Sequence, residues 1–164
     1  MELVLIVRWL HVIGACVLLG TGAGIAFFML MAHRTKKPAI IAHTASIVVI
    51  ADMLFTASAA VVQPISGVAL AWLSGWSLSE GWIILSVILY VVVGVFWLPV
   101  VWIQIRLRDL AWQADEAGGP LTEQYHQWFR VWFLCGFPAF LAMLAIVWLM
   151  LSRPQISLSG LFLN

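Results

Sequence analysis

Charged side chains are scarce in this sequence of 164 residues, in which only 9% are Asp, Glu, Lys or Arg and 64% are hydrophobic. Soluble domains carry about 25% charged and about 45–50% apolar residues. A chain so poor in charge, with a mean hydropathy of +1.07, is therefore not an ordinary soluble domain. The composition indicates an integral membrane protein, and the length corresponds to one domain over residues 1–164.

The sequence also lacks a strong net charge, paired cysteines and clusters of metal-binding side chains. The net charge is +1, which provides neither a basic surface for nucleic acid nor an acidic tail. Cys16 and Cys135 lie inside apolar runs without CxxC spacing, so we interpret them as small apolar side chains. No spacing brings three metal-binding side chains together, and we predict no metal site.

Long hydrophobic runs make up most of the chain. A helix crosses the hydrocarbon core with about 20 apolar residues, and four segments reach that length, at about residues 3–31, 39–62, 82–105 and 131–151. Residues 63–81 are rich in Pro, Gly and Ser and are predicted to form a loop. The sequence therefore predicts an all-α fold, an up-and-down four-helix bundle in the membrane.

The distribution of positive charge predicts how this bundle is oriented. Six of the eight Lys and Arg residues flank the first and third connections, whereas Arg8 and Arg153 lie on the other side. The positive-inside rule then places these connections in the cytoplasm and both termini outside. We expect a multi-pass protein in contact with the lipid bilayer.

Several polar side chains lie at depths in the predicted spans where ionisable groups cost about 2.5–3.5 kcal/mol each, which makes them candidate site residues. Four positions of the second span follow the spacing i, i+4, i+7 and i+11 and share one helix face: Asp52, Thr56, Ala59 and Gln63. On the first span Arg8 and His11 are i, i+3 neighbours, and Tyr90 of the third span has a similar depth. The predicted outward-open pocket contains Arg8, His11, Asp52, Thr56, Gln63 and Tyr90.

A structural interpretation of the same residues stays open. Asp52 can pair with His11 or Arg8 to tie two helices together, and Arg8 can extend to the membrane surface. Gly20 and Gly24 form a GxxxG step, which favours close helix–helix packing and offers a contact for a second copy or another membrane protein.

Histidines at the predicted inner ends of the helices provide an alternative cofactor site. His43 and His126 lie at matched depth on different helices, and Arg130 follows His126 by one turn. Two such imidazoles are what a bis-histidine haem needs, and an arginine suits a propionate. A haem on His11 would instead be five-coordinate or use a different sixth ligand.

Five stretches together resemble a bacterial family of predicted integral membrane proteins, domain of unknown function twenty-two sixty-nine: "RWLHVIGA", "GTGAGIAFFM", "ADMLFTASAAVVQPISG", "GWIILSVILYVVVGVFWLPVVWIQIR" and "WFLCGFPAF". This resemblance covers nearly the whole chain and implies a bacterial inner-membrane protein of four spans. The first helix alone is similar to that of haem-binding membrane protoporphyrinogen oxidases and copper-resistance membrane proteins. That similarity implies that His11 stands at the position of the haem-binding histidine.

Our first hypothesis is a small inner-membrane protein whose buried polar site binds a cofactor or small ligand, with haem b in a redox role as the leading candidate. His11 would be the axial ligand, Arg8 the partner of a carboxylate, and Asp52 the group that orients or protonates the bound molecule. The alternatives are a non-enzymatic subunit that binds another membrane protein, and a small transporter or proton pathway through Asp52 and His11. An enzymatic role stays open.

Overall fold

The computed structural model describes residues 2–156, which form four long helices and no strand. Each helix is long and apolar enough to cross a membrane, and their bounds are Glu2–Thr35, Pro38–Leu73, Gly81–Glu116 and Glu123–Ser152. We call them the first to fourth helices. The all-α fold with four membrane-spanning helices is thereby confirmed, whereas the orientation of the termini stays a prediction.

Consecutive helices pack against each other, and the first and fourth helices make the sparsest interface of the ring. The main apolar core lies towards one end of the bundle. At this end the chain connects the first helix to the second, after Thr35, and the third to the fourth, after Glu116. We call it the loop end. Its largest fully buried side chains are Met29, Ile41, Leu107 and Tyr125. Small alanines between these side chains allow close helix packing, which is the usual basis of helix association in membranes.

The second helix continues through Pro64 to Leu73, so most of the predicted loop at residues 63–81 is helical. Proline lacks the N–H that would bond the carbonyl four residues earlier, which here is the carbonyl of Ala60. Tyr90 of the third helix donates its hydroxyl to that carbonyl oxygen. A neighbouring helix therefore satisfies the freed group, which is how membrane helices tolerate proline.

A π-helical turn, Asp52–Thr56, interrupts the second helix between the α-helical stretches Pro38–Ala51 and Ala57–Leu73. The N–H of Ala57 bonds the carbonyl of Asp52, five residues back rather than four. Such turns insert one residue into an α-helix and are frequent at functional sites. Asp52 and Thr56, at the two ends of this turn, are both buried.

Candidate functional site

A cavity of about 510 Å³ lies at mid-depth between all four helices. We call it the mid-membrane cavity. Most of its wall is aliphatic or aromatic, and the fourth helix supplies a large share through Phe133, Phe137, Phe140 and Met143. Glycines of three helices also line it: Gly22, Gly94 and Gly136. A Cβ at any of these three glycines would meet no atom within 4 Å, so each of them leaves open space.

Polar groups from three helices interrupt this apolar wall. The π-helical turn contributes Asp52 and Thr56, the third helix contributes Trp97 and Gln104, and the fourth contributes Trp132. Trp97 donates its indole N–H to Oδ1 of Asp52 at 3.3 Å. With Tyr90, which also lines the cavity, the wall therefore combines a carboxyl, two hydroxyls, an amide and two indoles in an otherwise hydrocarbon environment.

Four polar atoms of the wall are buried and have no hydrogen-bond partner within residues 2–156. They are Oδ2 of Asp52, Oγ1 of Thr56, Oε1 of Gln104 and Nε1 of Trp132. The side chains are nearly inaccessible, at 3% exposure for Asp52 and Gln104, 8% for Thr56 and 4% for Trp132. An unsatisfied buried group costs about 1–3 kcal/mol, and native proteins keep few of them. A concentration of four such atoms on one cavity wall is therefore unusual for a purely structural core.

Asp52 also has no cationic partner among the described residues. The ion pairs found there join Arg108 to Asp109 and Arg130 to Glu123, both outside the mid-membrane cavity. A carboxyl inside a membrane normally faces a counter-charge, a hydrogen-bond network or a water-filled space. Asp52 accepts the indole N–H of Trp97 on Oδ1, and the Thr56 hydroxyl is near the same carboxyl, although Oδ2 accepts no hydrogen bond from a donor in residues 2–156.

A second polar contact joins the first and second helices near the N-terminus. His11 Nδ1 lies 2.9 Å from Oγ of Ser66, whose hydroxyl is within 2.8 Å of the carbonyl of Val62. A hydroxyl has one proton, so if Ser66 donates to Val62, Nδ1 of His11 carries the proton and Nε2 keeps its lone pair. The His11 ring also lies against Gly67, where an added Cβ would be 3.2 Å from Cε1.

A family model described as "Predicted integral membrane protein (DUF2269)" matches residues 5–154. The chain belongs to the DUF2269 family. The match includes the π-helical turn and every residue on the wall of the mid-membrane cavity. No curated protein and no solved structure matches the chain. Membership in DUF2269 establishes an integral membrane protein, which agrees with the exposed apolar side chains along all four helices.

In this DUF2269 chain the six residues of the predicted pocket lie in three places. Asp52, Thr56 and Tyr90 line the mid-membrane cavity. His11 and Gln63 lie at the contact between the first and second helices. His11 meets Ser66 there, and Gln63 packs against Gly14, where an added Cβ would be 3.2 Å from Cδ of Gln63. A third place is the exposed surface around Arg8, which lies with Glu2, Val4 and Leu5.

Three polar residues of the cavity wall do not belong to the pocket predicted from sequence: Trp97, Gln104 and Trp132. Trp97 lies deep inside an apolar run, and a polar N–H at that depth was an available signal. Gln104 and Trp132 stand near the ends of the predicted spans, where interfacial polar groups are ordinary. Sequence position therefore did not distinguish them from interface residues.

The predicted haem pair of His43 and His126 lies near the loop end. His43 is exposed, whereas the ring of His126 is 5.8 Å from that of His33. Arg130 pairs with Glu123 at 3.2 Å on the surface. Over residues 2–156 no three His, Cys, Asp or Glu side chains cluster as metal ligands. A haem on His43 and His126 stays a prediction.

The GxxxG step of the first helix does not face another helix of the bundle. A Cβ at Gly20 would meet nothing within 4 Å, and one at Gly24 would meet only Phe28 of the same helix, at 3.9 Å. Close packing instead occurs at Gly14 and Gly67, between the first and second helices. A contact of Gly20 and Gly24 with a second copy or another protein stays a prediction.

Proposed function

We propose that this protein binds a small, largely apolar molecule in the mid-membrane cavity, with Asp52 as its main polar contact. The observation that carries the proposal is the set of four buried, unpartnered polar atoms on one cavity wall. Ligand cavities measure about 300–1,000 Å³, are mostly apolar and carry a few convergent polar groups. A cavity of about 510 Å³ with this wall has the size and the composition of such a site.

A comparison within the chain supports a binding role over a purely structural one. The contact between His11 and Ser66 joins two helices. Its two polar atoms, Nδ1 of His11 and Oγ of Ser66, are 2.9 Å apart, so each has a hydrogen-bond partner. Asp52, on the cavity wall, has a different character, because one oxygen meets Trp97 and the other is buried without a donor within residues 2–156. An unsatisfied buried oxygen lowers stability, and among the described residues Oε1 of Gln63, packed against Gly14, is the one such side-chain atom outside the cavity wall.

The test is native mass spectrometry of the protein purified in mild detergent from its own membranes, in which a bound molecule adds a defined mass. Gly94→Phe places a benzyl group in the cavity, where an added Cβ meets open space. Gly20→Phe is the matched control, because Gly20 also meets open space but is not on the cavity wall. We expect an adduct on the unsubstituted protein and on G20F, and none on G94F.

Two outcomes overturn the proposal. An unsubstituted protein without any adduct indicates that the cavity holds no resident molecule. An adduct that persists in G94F lies elsewhere on the protein. Either result leaves the alternatives of a non-enzymatic subunit that contacts another membrane protein and of a small transporter or proton pathway through Asp52 and His11.

Haem b at His11 is the second candidate, and the orientation of His11 favours it. A ligating histidine usually donates its other ring N–H to a neighbouring acceptor, which is the role that Ser66 is placed to fill at Nδ1. Nε2 of His11 would hold the iron, and Arg8, three residues away and exposed, would meet a carboxylate. Haem, when bound, supplies one-electron transfer.

The mid-membrane cavity itself does not fit haem, because no histidine and no cationic side chain is among its lining residues. A haem on His11 would therefore lie outside the cavity, between the first two helices or at their surface. Absorption spectra of the oxidised and dithionite-reduced protein test this candidate. A Soret band that disappears in His11→Ala supports it, and a colourless protein from haem-replete cells excludes it.

A further inference from the structure

The unpartnered atoms of the mid-membrane cavity have complementary hydrogen-bonding roles. Oε1 of Gln104 is an acceptor, Nε1 of Trp132 is a donor, the hydroxyl of Thr56 can do both, and the carboxyl of Asp52 accepts when ionised and also donates when protonated. A ligand that satisfies them must both donate and accept. A hydroxyl group has this property, whereas an ether or a ketone only accepts.

The remaining wall favours a flat ring. The indoles of Trp97 and Trp132 and the phenyl groups of Phe133 and Phe137 line the same space. Aromatic side chains bury flat rings in stacked or edge-to-face geometry, with about 0.5–1.5 kcal/mol per pair beyond area burial. Asp52 is the one acidic side chain among the lining residues, and a hydroxyl on the ring can hydrogen-bond its carboxyl group in either protonation state.

The wall reaches the lipid-facing surface between the first and fourth helices. Near the loop end these helices are held together by His33, which is 3.3 Å from the Tyr125 hydroxyl and stacks on Phe129 at 3.7 Å. Further along, wall residues of both helices are exposed, including Gly22 and Ala23 of the first and Gly136 and Phe137 of the fourth. A hydrocarbon tail can leave the cavity through this opening.

We infer that the ligand is a quinol-type lipid, an aromatic ring with free hydroxyl groups and a hydrocarbon tail, which reaches the cavity sideways from the bilayer. The ring lies between the indoles with its hydroxyls towards Asp52 and Gln104, and the tail extends between the first and fourth helices into the lipid. This inference rests on the proposed function, since it names the ligand class of the same cavity.

The experiment measures probe retained by the protein in lipid nanodiscs under argon, with empty nanodiscs subtracted. The first probe is decyl-benzoquinol, and the second is its dimethyl ether, which has the same ring and tail but no O–H donor. We expect the half-saturating mole fraction of the ether to be at least tenfold higher. Asp52→Leu, which removes both acceptor oxygens, should weaken quinol binding by a similar factor and leave ether binding nearly unchanged.

Four further results separate the parts of the inference. Equal retention of quinol and ether overturns the hydroxyl assignment, and stronger retention of decyltrimethylammonium indicates a cationic ligand of Asp52 instead. A quinol with a bulky group at the end of its tail should bind as well as decyl-benzoquinol, because the tail lies outside the cavity. Its rejection overturns the lateral opening. If no probe shows binding that is lost in Gly94→Phe, the proposed function itself fails.

Discussion

The hydrogen bond from Tyr90 to the carbonyl of Ala60 compensates for Pro64, and this dependence can be measured. Tyr90→Phe removes the hydroxyl and leaves the Ala60 carbonyl unsatisfied inside the membrane. The loss of one partner costs about 1–3 kcal/mol, and interhelical hydrogen bonds in membrane proteins reach at most about 1.7 kcal/mol in measured cycles. We therefore expect Y90F to lower the free energy of unfolding by about 1–2 kcal/mol.

Pro64→Ala restores an N–H to the second helix, and this N–H can bond the Ala60 carbonyl within the helix. In the P64A background Y90F should therefore cost less than about 0.5 kcal/mol, because the carbonyl has a partner in both states. The double-mutant cycle isolates the coupling, which should be about 1 kcal/mol. Unfolding in mixed micelles of mild detergent and increasing SDS, followed by helical circular dichroism, provides the four free energies.

An equal cost of Y90F in both backgrounds would refute the reasoning, because the hydroxyl would then act independently of the proline. Tyr90 also lines the mid-membrane cavity, so its ring contributes to packing there. Phenylalanine keeps the ring and removes only the oxygen, which separates the hydrogen bond from that contribution. A large cost in P64A alone would indicate a packing role for the hydroxyl rather than its bond to Ala60.

Three further predictions concern the stability of the ligand-free protein, and SDS titration checks each of them. Thr56→Val should raise the free energy of unfolding by up to about 1 kcal/mol, because it removes a buried hydroxyl without a partner; a loss of stability would show that Thr56 is satisfied. Gly94→Ala should add about 0.5–1 kcal/mol to the free energy of unfolding through helix propensity. Gly67→Ala should add less, because its Cβ would lie 3.2 Å from the His11 ring, which must shift; equal effects would contradict the packing described. Met29→Ala should cost about 2–5 kcal/mol, since Met29 is fully buried in the main core, and a cost below about 1 kcal/mol would place it outside the core.

The fold class could be predicted from the sequence because it depends on local properties. A run of about 20 apolar residues crosses the bilayer only if its backbone groups bond within the segment, and a helix does this without reference to the rest of the chain. The third helix continues to Glu116, beyond its apolar run, as the charged stretch before the break at Gly118, Gly119 and Pro120 indicates. The second helix likewise extends to Leu73 because Tyr90 compensates for Pro64, which is a contact with another helix.

The candidate site could be predicted only in part. Asp52 and Thr56 are four residues apart and lie on the cavity wall together, as their spacing predicts. Gln63, predicted to share their face, instead lies against Gly14. Gln63 lies seven residues after Thr56, about 10 Å further along the second helix and beyond the π-helical turn, so it reaches the level of Gly14 rather than the cavity. No pattern in the five residues of that turn distinguishes it from ordinary helix.

The sequence by itself determined that the chain spans a membrane with four helices and that Asp52 is a costly residue within the second. Those conclusions follow from composition and from the spacing of neighbours along one helix. Only the tertiary structure decided where the space lies, because Gly22, Gly94 and Gly136 open it from three helices that are distant in sequence. It also decided which polar atoms lack partners, since satisfaction of a buried group depends on what the adjacent helices bring to it.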